Sequence, residues 1–179
     1  MHKFPHAALS LLPLLFVAAP AVAQDAAPAT LPGGASSLQE TYQDWRVTCG
    51  VVQNGKICSM AQVQQQQDGQ RVLAIELQPA KDGGVAGVLA LPFGLKLDAG
   101  ATLKIEGNPP LPALTFSTCL PTGCILPVTF ATEDVAALSA AATLSVTATS
   151  IQPNQPVNLA ISLKGFKAAL DRLTELTKG

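Results

Sequence analysis

Between Trp45 and Leu163 apolar residues recur at every second position in short runs, and this period constrains the fold more than any other feature of the chain. Trp45, Val47, Cys49 and Val51 alternate with Arg46, Thr48 and Gly50, and Leu73, Ile75 and Leu77 alternate with Val72, Ala74 and Glu76. Leu103 and Ile105 are flanked by Thr102, Lys104 and Glu106; Leu144, Val146 and Ala148 share one parity, as do Val157, Leu159, Ile161 and Leu163. A side-chain period of two puts each parity on one face of a pleated strand, so every run predicts a strand with one buried face. The predicted strands are Tyr42 to Val52, Ile57 to Val63, Arg71 to Gln78, the apolar run Val85 to Leu91, Ala101 to Glu106, a strand ending at Cys119, one starting at Cys124, Thr143 to Thr149 and Val157 to Leu163. Asn54-Gly55, Asp68-Gly69, Asp82-Gly83-Gly84 and Leu120-Pro121-Thr122-Gly123 supply turn chemistry between them. Short strands punctuated in this way predict an antiparallel sandwich or barrel.

Two segments carry a helical period instead. Glu133 to Ala140 reads as one or two turns, with acidic residues at the start where the helix dipole favours them. Phe166, Ala169, Leu170, Leu173 and Leu176 fall on one face of a helix from Phe166 to Leu176, suited to capping an open end or edge of the sheets.

The cysteines are Cys49, Cys58, Cys119 and Cys124. An even count in an exported chain reads as two disulfides, for which three connectivities exist. A hairpin centred on Asn54-Gly55 sets Cys49 opposite Met60 and Cys58 opposite Val51, leaving the two cysteines diagonal neighbours on one face. A type I turn over Leu120-Pro121-Thr122-Gly123 sets Cys119 across from Cys124. Local pairing, Cys49 with Cys58 and Cys119 with Cys124, is therefore the first choice.

Export is read from the N-terminus. Lys3 precedes an apolar run from Ala7 to Ala19, and Ala21-Val22-Ala23 supplies a small-x-small cleavage pattern. These features predict a signal peptide over 1–23, cut between Ala23 and Gln24. The run is short for a membrane span and holds Pro13, and no transmembrane segment is expected in the mature chain. Residues 24–37, rich in Ala, Pro, Gly, Thr and Ser, read as a flexible linker, and 38–179 as one domain. The formal net charge is −1 and the basic residues are scattered, which argues against a nucleic-acid partner or a polybasic membrane patch.

Both histidines, His2 and His6, lie within the predicted signal peptide. The mature domain then lacks Ser-His-Asp and Cys-His arrangements, the usual histidine bases and most zinc sites. The spacing Cys119-x4-Cys124 is not that of a thiol oxidoreductase. Glu133 and Asp134 are adjacent and belong to a helix start rather than to a glycosidase pair. Trp45 reads as core, with ligand stacking as the alternative. Gln64 to Gln67 reads as a solvated strand end and turn, with edge pairing to another chain as the alternative. No catalytic, cofactor-binding or metal-binding residue is assigned, no cofactor is expected, and no binding residue is identified.

Taken in order, Trp45-x-Val47-x-Cys49, Cys58, Leu91-Pro92-x-Gly94-Leu95-x-Leu97-x-x-Gly100, Cys119-x-x-x-Gly123-Cys124 and Ser162-Leu163-Lys164-Gly165-Phe166-x-x-Ala169-Leu170 resemble the invasion-associated locus B (IalB) family of exported bacterial proteins. The likeness runs over essentially all of Leu38 to Leu176. It implies an immunoglobulin-like antiparallel β-sandwich with a C-terminal α-helix, no known catalytic residues, a place in the Gram-negative periplasm, on the cell surface or in the medium, and in some pathogens a link to virulence through host-cell invasion. The reading that joins the two lines is a non-enzymatic binding module with a protein partner at the envelope or host surface. A chaperone-like accessory protein for other periplasmic chains is the alternative.

Overall fold

The computed structural model describes Thr30 to Lys178 apart from Asn54. The predicted signal peptide at 1–23, the predicted cleavage position between Ala23 and Gln24, the first part of the predicted linker, Asn54 and Gly179 lie outside the described residues.

Among the described residues, ten strands and two α-helices follow one another as β1 (Ser37–Tyr42), β2 (Trp45–Val52), β3 (Gly55–Gln65), β4 (Arg71–Pro79), β5 (Val85–Leu91), β6 (Ala101–Ile105), β7 (Thr118–Leu120), β8 (Gly123–Phe130), α1 (Thr132–Ala140), β9 (Thr143–Thr149), β10 (Pro156–Ser162) and α2 (Phe166–Lys178). They form a seven-stranded sheet in the order β1-β2-β3-β4-β5-β8-β7 and a three-stranded sheet in the order β10-β9-β6, with every pairing antiparallel. The two sheets share one core. Val47, Met60, Leu73, Ile75, Leu77, Leu89, Leu126 and Phe130 come from the large sheet, Leu103, Ile105, Leu144, Val146 and Ile161 from the small one. For β2, β4, β6, β9 and β10 these are the parities that the alternation assigns to the buried face; Met60, Leu89, Leu126 and Phe130 come from strands whose buried face it does not assign.

Helix α2 lies over the inner face of β1 to β4. It buries Phe166, Ala169, Leu173 and Leu176, the stripe read from its period. Phe166 meets Trp45 edge to face, with ring centroids 5.2 Å apart. At the start of α1 the Asp134 carboxylate accepts the Ala131 N–H at 3.2 Å, holding one of the N–H groups that a helix start leaves unpaired.

The hairpin register differs from the sequence expectation. Val52 pairs with Gly55, and Cys49 stands directly opposite Cys58 while Met60 faces Val47 and Val51 faces Lys56. Both registers keep the same side chains on the inner face, so the apolar pattern cannot separate them. The cysteines can: directly opposed, their Cα atoms are 4.1 Å apart, the close spacing of a non-hydrogen-bonded pair, and the disulfide forms there. Cys119 is bonded to Cys124 across the turn at Pro121-Thr122, with Cα atoms 3.9 Å apart.

The chain upstream of Leu38 also packs. Leu31 is buried, Pro32–Gly34 forms one 3-10 turn, and Ser37 already pairs with Gly50. The predicted strand from Tyr42 to Val52 is broken at Gln43, whose φ of 54° turns the chain, so that Tyr42 belongs to β1 and pairs with Trp45.

Candidate binding surface

Two residues singled out for possible surface roles, Trp45 and Gln64, bond across to the small sheet, together with Gln62, which sequence reading does not single out. Trp45 is 1% exposed, and its Nε1–H donates to the Ser162 carbonyl at 3.0 Å. Gln62, the one buried polar residue among those described, donates through Nε2 to the same carbonyl at 2.8 Å. Gln64 donates to the Ala160 carbonyl at 2.8 Å and to Gln62 Oε1 at 2.9 Å. β10 is an edge strand of the small sheet, so carbonyls pointing away from β9 need partners, and these three side chains of β2 and β3 supply them. Glu133 and Asp134 sit at the start of α1, as read.

A second polar lock ties α2 to β1. Arg172 donates from Nε to Glu40 Oε2 at 2.8 Å and from an Nη to Oε1 at 3.0 Å, and the Tyr42 hydroxyl donates to Oε2 at 2.7 Å. The Arg172 guanidinium, and after it the Tyr42 hydroxyl, hold the Glu40 carboxyl below the usual carboxylate range. The same carboxylate raises the Tyr42 phenol and keeps Arg172 protonated.

Apolar side chains reach solvent at several places, among them Val52 and Ile57 at the β2–β3 hairpin, Val63 on β3, and a group at the end of the sandwich where β5 and β9 finish. The chain leaving β5 runs antiparallel to the end of β9: Lys96 N–H donates to the Thr149 carbonyl at 2.8 Å, Leu95 bridges Ser150, and Ile151 N–H donates to the Gly94 carbonyl at 2.8 Å. Leu95 points in and is buried, which leaves its neighbours outside. Phe93 is 61% exposed, Ile151 58% and Leu97 41%. Phe93 also borders an open recess of about 430 Å³ shared with Pro92, the Pro121-Thr122-Gly123 turn and the β3–β4 loop, where Gln65, Gln70 and Arg71 contribute amides and a cation. Leu120, 49% exposed, stands beside that turn and is anchored by the Cys119–Cys124 disulfide. Arg71 is the only ionisable residue on the recess wall and makes no ion pair among the described residues.

Apolar groups exposed together on loops fixed by a rigid frame are the usual signature of a contact surface. Sequence reading passed over these positions because it took turn chemistry as connection only. The available signal was an aromatic or branched residue inside a turn: Pro92-Phe93-Gly94, and Ser150-Ile151-Gln152-Pro153. Among the described residues no group of three or more His, Cys, Asp or Glu is placed to hold a metal ion, and no helix is long and apolar enough to cross a membrane.

Comparison with known proteins agrees with this architecture. The chain is 55% identical over 151 residues to the invasion protein B homologs of Brucella abortus strain 2308 and of biovar 1 strain 9-941, covering 84% of this chain and 87% of each relative. It is 36% identical over 152 residues to invasion protein B of Bartonella bacilliformis, covering 84% and 82%. The crystal structure of invasion associated protein B from Bartonella henselae superposes with a TM-score of 0.74 at 35% identity, over 79% of this chain and 97% of that one. The model of the invasion associated locus B family matches residues 45–174, and the chain belongs to that family.

Proposed function

We propose that this chain is an exported, non-catalytic binding module that works in the periplasm or at the surface of a Gram-negative bacterium and engages a protein partner through its loop end. The observation that carries the reading is the group Phe93, Leu97 and Ile151, exposed on connections that backbone hydrogen bonds hold in place, with Leu120 exposed at the end of β7 beside the Cys119–Cys124 disulfide. Aromatic and aliphatic anchors on rigid loops bind at low cost in conformational entropy, which suits recognition. The two disulfides agree with an oxidising compartment. The family's name and those of its relatives make a role at the host-cell surface the first partner class to test.

The test pairs the unaltered protein with a Phe93→Ser, Ile151→Ser variant. Both positions are exposed, so the variant folds with unchanged thermal stability. Binding to intact host cells, measured by flow cytometry of the labelled mature protein, falls at least tenfold in the variant if the loop end is the contact surface. Equal binding by both proteins refutes the placement of the site, and binding by neither turns the search to partners inside the bacterial envelope.

A further inference from the structure

The large sheet is incomplete along one edge. β7 pairs only with Gly123 to Ile125, so on the side away from β5 no strand among the described residues borders β8 from Leu126 to Phe130. Pro127 stands opposite Val88 and lacks an N–H, so that pair is a non-hydrogen-bonded one. By strand parity, the Pro127 carbonyl and both the N–H and carbonyl of Thr129 point away from β5 toward the open side. The Ile125 carbonyl, of the same parity, confirms the direction by accepting the Ser117 N–H at 2.9 Å. Pro127 and Thr129 are exposed.

Beneath this edge the two sheets part. A crevice of about 260 Å³ opens between β8 and the segment that borders β6, lined by Leu103, Leu111, Leu114, Val128 and Phe130. Leu111 and Leu114 belong to the segment whose backbone bonds to Leu103 and Ala101 of the small sheet, so it cannot also close the large one. Asp134 is the only ionisable residue on the wall, and Glu133 is exposed beside it.

We propose that this edge and crevice form a docking site for an extended segment of another polypeptide, with apolar side chains at alternate positions and a basic residue beside them. A guest residue opposite Thr129 exchanges two backbone hydrogen bonds with it, and the pleat then aims the side chains on either side of that residue inward, between Val128, Phe130, Leu111 and Leu114. The carboxylates at the start of α1 favour the basic neighbour. Pro127 withholds one donor and Ser117 occupies the Ile125 carbonyl, so pairing stops after a few residues. The edge accepts a short segment and resists open-ended strand addition. This site is separate from the loop end and independent of the reading given for it.

The experiment uses the mature, disulfide-bonded protein and a displayed library of random heptapeptides. Selected peptides share alternating apolar residues with a Lys or Arg beside them, and on binding the Thr129 amide exchanges at least tenfold more slowly by NMR. N-methylation of the peptide nitrogen that pairs with Thr129 weakens binding about tenfold, the loss expected for a hydrogen bond of about 1.4 kcal/mol, while the protein itself is unaltered. Three results overturn the proposal: no enrichment, unchanged exchange at Thr129, or affinity indifferent to N-methylation at every position.

Discussion

The Ser162 carbonyl oxygen accepts Trp45 Nε1–H at 3.0 Å and Gln62 Nε2–H at 2.8 Å, so each donor insures the other. Replacing Trp45 by Phe keeps an aromatic ring but removes one donor and part of the indole volume, at a cost of about 2–3 kcal/mol. Replacing Gln62 by Leu removes the second donor and one of two acceptors used by Gln64, which keeps the Ala160 carbonyl, at a cost of about 1 kcal/mol. In each single variant Ser162 retains one partner. In the double variant it retains none, and an unpartnered carbonyl between the sheets adds about 1–3 kcal/mol beyond the sum. The assay is urea denaturation of the oxidised protein followed by far-UV circular dichroism, because Trp45 is the only tryptophan and its fluorescence is lost in two of the variants. Additivity within about 0.5 kcal/mol would refute the claim that these two side chains share the closing of the β10 edge.

Further predictions follow from the helix and the bridges. Gly165 has φ +83°, and a Cβ there would overlap the Tyr42 carbonyl oxygen, so Gly165→Ala destabilises by about 2–4 kcal/mol and loosens α2, read as a lower urea midpoint. Glu40 is held below the usual carboxylate range in the fold, so its contribution is complete above the unfolded-state pKa of about 4.3 and is lost as pH falls through the lowered value. Glu40→Gln accordingly lowers stability at neutral pH, and the difference from the unaltered protein shrinks on acidification in the same denaturation assay. Peptide mapping without reduction yields Cys49 linked to Cys58 and Cys119 linked to Cys124; a Cys58–Cys119 peptide contradicts the fold. Removing either bridge by paired Cys→Ser substitution costs about 2–3 kcal/mol, the contribution of a short loop closure, seen as a lower midpoint.

Much of the frame was legible because burial imposes a period. The inner faces of β2, β4, β6 and β9 are the alternating sets read from sequence, and α2 buries the stripe that its spacing marks. β1 was not legible, since its inward residues are Leu38, Glu40 and Tyr42, and a strand that turns a carboxylate inward to meet Arg172 carries no apolar alternation. The role of Gln62 and Gln64 was hidden for a related reason. Glutamine at a strand end looks solvated until the strand opposite, about a hundred residues away in sequence, presents carbonyls that need donors. The loop-end surface escaped notice because exposure of Phe93 and Ile151 follows from the pairing of Gly94 to Lys96 with Thr149 to Ile151, a long-range contact that no local pattern encodes.

The central claim, that the loop end is where this protein meets its partner, is tested most directly by placing a photoreactive amino acid at position 93, and separately at Lys104 on the outer face of the small sheet, and irradiating cells that express each form. The account predicts a discrete crosslinked adduct from position 93 that is absent from position 104. Adducts from Lys104 alone, or the same adducts from both positions, would contradict it.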